Sequence, residues 1–344
     1  MRLSPIVTYI LRRILISGLV LVGISFIAFT ISYLLPSDPV TSRYPDITPE
    51  QREEIRRQMG LDQPLPVQYA RYIQSVFRGE FGVSYNTGNM VIDDLKDRIP
   101  ATLELAFWGL GMGIILGIPT GIISAVHRNK FWDNAMRLIS IGSQSIPGFW
   151  IGVVLIFFLY FQWHIAPMPV GRLGMSFSTP ETVTGFLVLD SILLGNWETA
   201  LAALKQLAMP AFVMGLGMIA PIARITRSAM SESLQEDYII FGRALGLPER
   251  KVVLGDAFRG SLVSIVTVIG FSVGGIFAGS AIVETVFAWP GLGRYAVTAI
   301  TTSDMAPVNT CILLIATGVA LANLLVDISY AFIDPRIRDE YARS

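Results

Sequence analysis

Six long runs of apolar residues constrain the fold of this chain more than any other feature. They occupy roughly residues 10–35, 100–126, 136–162, 202–223, 260–287 and 308–333. A bilayer-spanning helix needs about 20 apolar residues, so each run is long enough to cross a membrane. The 344-residue chain is 52% hydrophobic and only 15% charged, which excludes an ordinary soluble domain. The sequence therefore predicts an all-α polytopic membrane protein with about six transmembrane helices. The fourth run is the least defined, because Pro210 and Pro221 interrupt it.

The short loops between the runs differ in Lys and Arg content, which predicts the orientation. One side and the two termini hold Arg2, Arg12, Arg13, Arg128, Lys130, Arg137, Arg224, Arg227, Arg243, Arg250, Lys251, Arg259, Arg336, Arg338 and Arg343. The short loops on the other side hold only Arg172, Lys205 and Arg294. Because basic loops stay on the cytoplasmic side, we expect both termini in the cytoplasm. The first run is too long for a secretory signal and lacks a small-residue cleavage pattern, so we interpret it as a retained span.

The runs and loops divide the chain into four predicted parts. These are a cytoplasmic N-terminus with the first span (1–35), an outer loop subdomain (36–99), a five-helix core with a cytoplasmic hairpin (100–333, hairpin 224–260) and a cytoplasmic tail (334–344). In the outer loop, Thr48 as N-cap, Pro49 at the first helical position and Glu50 in the first turn predict a helix that ends at Gly60. A second helix is expected over 67–77. This cap either docks a soluble partner or covers the spans.

The polar segment 224–260 lies between two apolar runs and has a helical pattern. Leu234, Tyr238, Phe241 and Leu245 fall at i, i+4, i+7 and i+11, so one helix would place them on a single face. Gly246, followed two residues later by a proline, predicts a stop, and a second short helix is expected over 249–258. The apolar face either docks a partner or packs under the chain's own spans.

Glycines recur every four residues in two of the runs, a spacing that lets helix backbones approach closely in lipid. They are Gly109, Gly113, Gly117 and Gly121 in the second run and Gly270 and Gly274, with the offset Gly275 and Gly279, in the fifth. Packing within the chain, a seam with a second membrane subunit and the lining of a solute path are the alternatives. On the third run, Ser143, Gln144 and Ser145 are candidates for lining such a path.

Signals of catalysis, metal binding and cofactor binding are missing. No P-loop motif occurs, so ATP hydrolysis by that route is not expected on this chain. His127 and His164 lie at loop edges on opposite sides of the membrane, and Cys311 is alone. No nucleophile–base pair stands out, and a net charge of zero gives no argument for nucleic acid. We therefore expect no catalytic residue, no metal site and no cofactor here.

Motifs spread over nearly the whole chain carry a family resemblance. They read YILRR at 9–13, LPSDP at 35–39, MGLDQP at 59–64, GEFGVS at 79–84, EDY at 236–238, GRALGL at 242–247, ETVFAWPGLG at 284–293 and IDPRIR at 333–338. The chain resembles the first membrane subunit, of the dipeptide permease B type, in the dipeptide/oligopeptide/nickel branch of bacterial ATP-binding-cassette importers. One departure is that the broader importer motif begins Glu-Ala-Ala, whereas Ile240, Phe241 and Gly242 stand there and the acid lies upstream as Glu236.

The resemblance implies a type I importer permease fold in a bacterial inner membrane, with its partners. These would be a second homologous permease, two ATPases that bind ATP and Mg, an extracytoplasmic substrate-binding protein and the lipid bilayer. ATPase coupling would fall to Leu234, Glu236, Asp237, Tyr238, Phe241, Gly242, Arg243, Ala244, Leu245 and Gly246. An outer gate or binding-protein contact would involve Glu284, Phe287, Trp289, Pro290, Gly291 and Gly293, and a re-entrant cap is the alternative for that loop. Relatives move short peptides, nickel chelates, opines or sugars, and peptide is chosen as the commonest. A secondary transporter without an ATPase is the alternative function.

Overall fold

The computed structural model describes residues 5–34, 40, 46–58 and 60–333. Within these residues the chain is helical and forms no strand beyond one isolated bridge. In chain order the helices are α1 (Pro5–Leu34), α2 (Pro49–Gln58), α3 (Leu65–Phe77), α4 (Val91–Val126), α5 (Phe131–Ser145), α6 (Gly148–Leu155, continued by a π-helix Ile156–Gln162), α7 (Leu187–Leu193), α8 (Trp197–Ser233), α9 (Asp237–Ala244), α10 (Glu249–Lys251, continued by a π-helix Val252–Ala257), α11 (Phe258–Val286), α12 (Leu292–Thr301) and α13 (Met305–Ile333). The tail 334–344 and the motif at 35–39 lie outside the described residues.

Among the described residues, five helices are long and apolar enough to cross a membrane, and they correspond to five of the six apolar runs. The third run is not one continuous helix, which corrects the expectation of a single span over 136–162. It breaks between α5 and α6 at Ile146 and Pro147, where Ile146 is extended with φ −99° and ψ 124°. Proline lacks an N–H and pushes the preceding residue out of the helical region. The run therefore forms two shorter helices, α5 and α6.

The fourth run behaves in the opposite way. Helix α8 continues for 37 residues through Pro210 and Pro221. Its start is fixed by Asn196, whose side chain accepts a hydrogen bond from the backbone N–H of Thr199. Proline is tolerated inside membrane helices because neighbouring groups satisfy the freed carbonyls. The two prolines therefore leave the span intact.

Helix α8 is the centre of the bundle and contacts α4, α5, α6, α7 and α11. Its closest neighbour is α4, which lies against it in the same direction. A Cβ added at Gly109, Gly113, Gly117 or Gly121 would meet, in that order, the side chains of Met214, Met218, Ile222 and Thr226. The first glycine stripe thus packs within the chain rather than against a second subunit.

The second stripe is divided between two roles. Gly270 and Gly274 face Val326 and Val319 of α13, with no room for a side chain at Gly270. Gly275 and Gly279 face open space. Only half of this stripe therefore serves packing within the chain.

One end of the bundle, called the cap end, carries α2, α3 and α12. At α2, Thr48 and Gln51 bond reciprocally through side chain and backbone, at 3.0 and 3.3 Å, which is a capping box with Gln in the third position. Tyr69 of α3 packs its ring edge-on at 5.1 Å from Phe26 and its hydroxyl at 2.8 Å from that of Ser25. The cap therefore covers α1. Covering the spans was one of the two predicted roles of this loop, and docking of a soluble partner was the other.

A further contact joins the cap to the last span. The carboxylate of Asp304, which precedes α13, accepts hydrogen bonds from the hydroxyl of Ser84 at 2.7 Å and from the backbone N–H of Tyr85 at 2.8 Å. The opposite end of the bundle, called the hairpin end, carries α9 and α10.

Replacing Gly121 with Ala should separate α4 from α8. The new Cβ would lie 2.7 Å from the carbonyl oxygen of Ala223 and 2.6 Å from Cβ of Thr226, so the helices must move apart at a cost of about 1–3 kcal/mol. Thermal unfolding of the purified protein in detergent measures the loss. Gly111→Ala is the matched control, because nothing lies within 4 Å of its added Cβ, and equal stability of both variants would contradict this packing.

Candidate functional site

The first candidate surface is the hairpin, which was predicted over 224–260. The structure narrows it to residues 234–251, because α8 continues to Ser233 and the π-helix Val252–Ala257 leads into α11. Helix α8 ends at Ser233 and the next helix, α9, begins at Asp237, so Leu234 caps α8 and lies outside α9. The predicted single helix from Leu234 to Gly246 is therefore wrong. The chain turns over 234–236 because Glu236 is extended, with φ −67° and ψ 146°. The predicted stop is confirmed, since α9 ends at Ala244 and Gly246 has a φ of +75°.

The apolar side chains of α9 and its end divide between two faces. Tyr238, Phe241 and Leu245 are 50%, 65% and 65% exposed, whereas Ile239 is 1% exposed. Ile239 packs into a buried cluster with Ala125, Met230, Val252, Val253 and Ala257, drawn from α4, α8 and the π-helix after α10. Of the four side chains that the sequence placed on a docking face, Tyr238, Phe241 and Leu245 are exposed, whereas Leu234 packs against this cluster. A residue outside the predicted face, Ile239, fixes α9 to the bundle.

Charged groups surround the exposed face. The guanidinium of Arg243 donates to the carboxylate of Glu249 at 2.6 Å, which links α9 to α10 and lowers the pKa of that carboxyl. On the other side, Glu236 and Asp237 line a polar cavity of about 460 Å³ together with Arg128. Gly242 is buried against Leu247, and Ala244 closes the helix.

A buried ion pair anchors the hairpin end. Asp133, at the start of α5, is fully buried and accepts from Arg227 of α8 at 2.8 Å, from the hydroxyl of Ser124 of α4 at 2.6 Å and from the backbone N–H of Asn129 at 2.9 Å. One carboxylate therefore joins α4, α5 and α8 about two turns before the hairpin. Sequence reasoning missed this pair and counted Arg227 only as a marker of orientation.

At the cap end, the residues predicted for an outer gate form a buried joint. Glu284 of α11 accepts from the hydroxyl of Thr102 at 2.7 Å and from the backbone N–H of Arg294 at 2.8 Å. The carboxylate therefore caps the N-terminus of α12, where negative charge is stabilised. A Cβ at Gly291 would collide with it, and one at Gly293 would lie 2.5 Å from the backbone of Ala281.

The aromatic residues of the same loop are also internal. Phe287 and Trp289 are 2% and 1% exposed, and the indole of Trp289 donates to the carbonyl of Ala101 at 2.9 Å. Pro290 lies beside a cavity at the cap end. The burial of Phe287 and Trp289 fits the re-entrant cap, whereas Pro290 is exposed. An outer gate or a binding-protein contact at this loop stays a prediction.

An open cavity of about 740 Å³, called the central cavity, lies between α6, α8 and α11. Its wall includes Pro147, Phe149, Met214, Met218, Phe271, Ser272, Gly275 and Gly279. The wall is mostly apolar, and the hydroxyl of Ser272 donates a hydrogen bond to the carbonyl of Val268 at 2.7 Å. The predicted path residues lie just before it: Ser145 is exposed at the end of α5, and the side chains of Ser143 and Gln144 lie outside the described part of the structure.

Nothing in the described ranges groups three or more His, Cys, Asp or Glu residues in a way that could hold a metal ion.

Replacing Asp133 with Asn should loosen the anchor, because Arg227 would lose its charged partner in a half-buried place. We expect the free energy of unfolding to fall by about 1–3 kcal/mol, measured as a lower midpoint of thermal unfolding in detergent. Glu249→Gln is the control, since the Arg243–Glu249 pair is exposed and such pairs contribute little. Equal losses in both variants would contradict the role of Asp133 as the anchor.

Comparison with known proteins bears directly on these features. Residues 117–339 match the family described as the inner membrane component of binding-protein-dependent transport systems, and residues 6–106 match the N-terminal family of such membrane components. The chain is 43% identical over 323 residues to the probable D,D-dipeptide transport system permease protein DdpB of Escherichia coli (strain K12), covering 93% of this chain and 95% of that protein. It is 36% identical over 336 residues to the dipeptide transport system permease protein DppB of the same strain, covering 96% and 98%. The di/tripeptide transport system permease protein DppB of Pseudomonas aeruginosa (strain UCBPP-PA14) is also 36% identical over 336 residues, covering 97% and 99%. The chain therefore belongs to the family of inner membrane components of binding-protein-dependent transport systems.

Proposed function

We propose that this chain is the transmembrane permease subunit of an ATP-binding-cassette importer that moves short peptides into the cytoplasm. The observation that carries the proposal is the exposed apolar face of α9, with Phe241 and Leu245 each 65% exposed, on a helix fixed to the bundle from behind. Protein–protein interfaces have aromatic residues at their centre and polar residues at their edge. The exposed face of α9, with Phe241 beside charged residues, has the same composition, so it fits a surface that a partner covers.

The occupant of that face is proposed to be an ATPase subunit. Two such subunits, one for each of two homologous permeases, would bind and hydrolyse ATP with Mg, and this chain would carry no cofactor. An extracytoplasmic binding protein would deliver the substrate at the cap end. Membership of a family that serves binding-protein-dependent systems supports this proposal, and a secondary transporter without an ATPase is the alternative.

The proposed coupling uses α9 as a short lever. Its 8 residues span about 12 Å at 1.5 Å per residue, which is less than the sequence suggested. Ile239 ties α9 to the end of α4 and to the π-helix that leads into α11. A push on α9 would therefore be transmitted to α4, α8 and α11, two of which line the central cavity.

The orientation follows from the same proposal. The hairpin end would face the cytoplasm and the cap end the periplasm, which agrees with the basic residues of the hairpin. Short peptides are proposed as substrates because the names of three relatives refer to dipeptide or tripeptide transport.

Replacing Phe241 with Ala should uncouple transport without unfolding the chain, because the side chain is largely exposed. Loss of a central aromatic contact costs about 2 kcal/mol or more, or about 30-fold in affinity for the partner. We expect lower peptide uptake in cells and lower substrate-stimulated ATP hydrolysis by the purified complex. Affinity for the binding protein should stay unchanged.

Phe77→Ala is the matched control, since Phe77 is 88% exposed on α3 at the cap end. It should leave ATP hydrolysis unchanged. Normal uptake and ATP hydrolysis in the Phe241 variant would show that α9 is not the coupling element.

A further inference from the structure

A second cavity, of about 510 Å³, opens at the cap end between the first turns of α4, the segment 172–190 and Pro290. In contrast to the central cavity, its wall carries charges of both signs, among them Asp94, Asp97, Arg98, Arg172 and Asp190. Its volume falls within the range of about 300–1,000 Å³ that small-molecule sites occupy.

Three of these charges are already committed. Arg172 donates to Glu104 and to the carbonyl of Gly185, both at 2.6 Å. Asp190 accepts from the backbone N–H groups of Thr184 at 2.8 Å and Gly185 at 2.9 Å.

Asp94 is the third committed charge. It accepts from the hydroxyls of Thr87 at 2.6 Å and Tyr295 at 2.8 Å, and from the amide of Asn89 at 3.3 Å. These groups hold the wall of the cavity and have little capacity left for a ligand.

Arg98 is different. Its guanidinium carbon lies 4.0 Å above the ring centre of Tyr295, and its nearest carboxylate oxygen, on Asp94, is 3.9 Å away, which is beyond hydrogen-bond distance. Its Nε is enclosed and has no hydrogen-bond partner among the described residues. The guanidinium, which has five N–H donors, is thus held over an aromatic ring by a loose ion pair with Asp94 and makes no hydrogen bond through its Nε.

Asp97, the neighbouring residue, also lines the cavity and is exposed. The described residues give it no hydrogen bond or ion pair. Lys96, which also lines the cavity, is paired with Asp93 at 2.7 Å. The cavity therefore holds a cation whose nearest acid lies 3.9 Å away, Arg98, and an anion with no partner among the described residues, Asp97. Together they complement a small zwitterion.

We propose that this cavity is a binding site for the charged ends of a short peptide at the cap end. Arg98 binds the terminal carboxylate, since a planar guanidinium matches a carboxylate with two parallel hydrogen bonds, and Asp97 binds the terminal ammonium. The inference rests on the proposed function, because it assumes that peptides reach this end of the chain.

The test measures binding of L-alanyl-L-alanine to the purified full-length chain with its co-purifying partners in lipid nanodiscs, without added binding protein. Wild type should bind the peptide, and its C-terminal amide should bind about tenfold more weakly or worse, because one charge-assisted pair is lost. Arg98→Gln should weaken binding of the free peptide by a similar factor and leave the amide unchanged. Arg78→Gln, an exposed cap-end arginine outside the cavity, should bind as wild type does.

Asp97→Asn provides a second variant in case Arg98→Gln disturbs the stacking on Tyr295. It should weaken binding of the free peptide but not of its N-acetyl form. Equal binding of peptide and amide by wild type, no binding at all, or an equal loss for both ligands in Arg98→Gln would overturn the proposal. Uptake of the same peptide by cells distinguishes failure of this site from failure of the proposed function. Equal uptake by wild type and Arg98→Gln contradicts the site alone. No uptake by wild type contradicts peptide transport itself.

Discussion

Direct contact between α4 and α8 is the constraint on which the rest of the structure depends. Lipid is as apolar as the helix surfaces, so close packing rather than hydrophobic burial holds membrane helices together. The four glycines of α4 remove the side chains that would separate it from α8. Helix α8 then contacts four more helices and leads, at its C-terminal end, into the hairpin. A movement of the hairpin would therefore also move α8, the helix at the centre of the bundle.

Two buried carboxylates hold the two ends of α4 against its neighbours. At the hairpin end Asp133 joins α4, α5 and α8, and at the cap end Glu284 joins α4, α11 and α12. Both acids bind donors from several helices, and neither lies in the middle of a span. The ionisable groups thus hold the ends of the helices in place, while the central cavity keeps a mostly apolar wall. A chain arranged in this way suits a permease that is moved by another protein.

Much of the fold could be predicted, because length and apolar composition identify membrane helices without knowledge of their neighbours. The continuity of α8 through Pro210 and Pro221 could not, since the local effect of proline is the same there as at Pro147, where the helix breaks, and the surrounding helices decide the outcome. The face of α9 was predicted in part: Tyr238 and Phe241 obey its helical spacing, but the turn before Asp237 leaves Leu234 as the C-cap of α8. The anchors were missed because their partners lie far apart in sequence, by 94 residues for Asp133 with Arg227 and 182 for Thr102 with Glu284.

The most direct test of the central claim is photo-crosslinking in intact cells from a benzophenone amino acid that replaces Phe241, followed by mass spectrometry of the product. A docking face for an ATPase on the cytoplasmic side predicts a covalent adduct with a P-loop ATPase, which decreases when an excess of unlabelled permease competes for it. Adducts confined to extracytoplasmic proteins or to this chain itself would contradict both the orientation and the coupling role of α9.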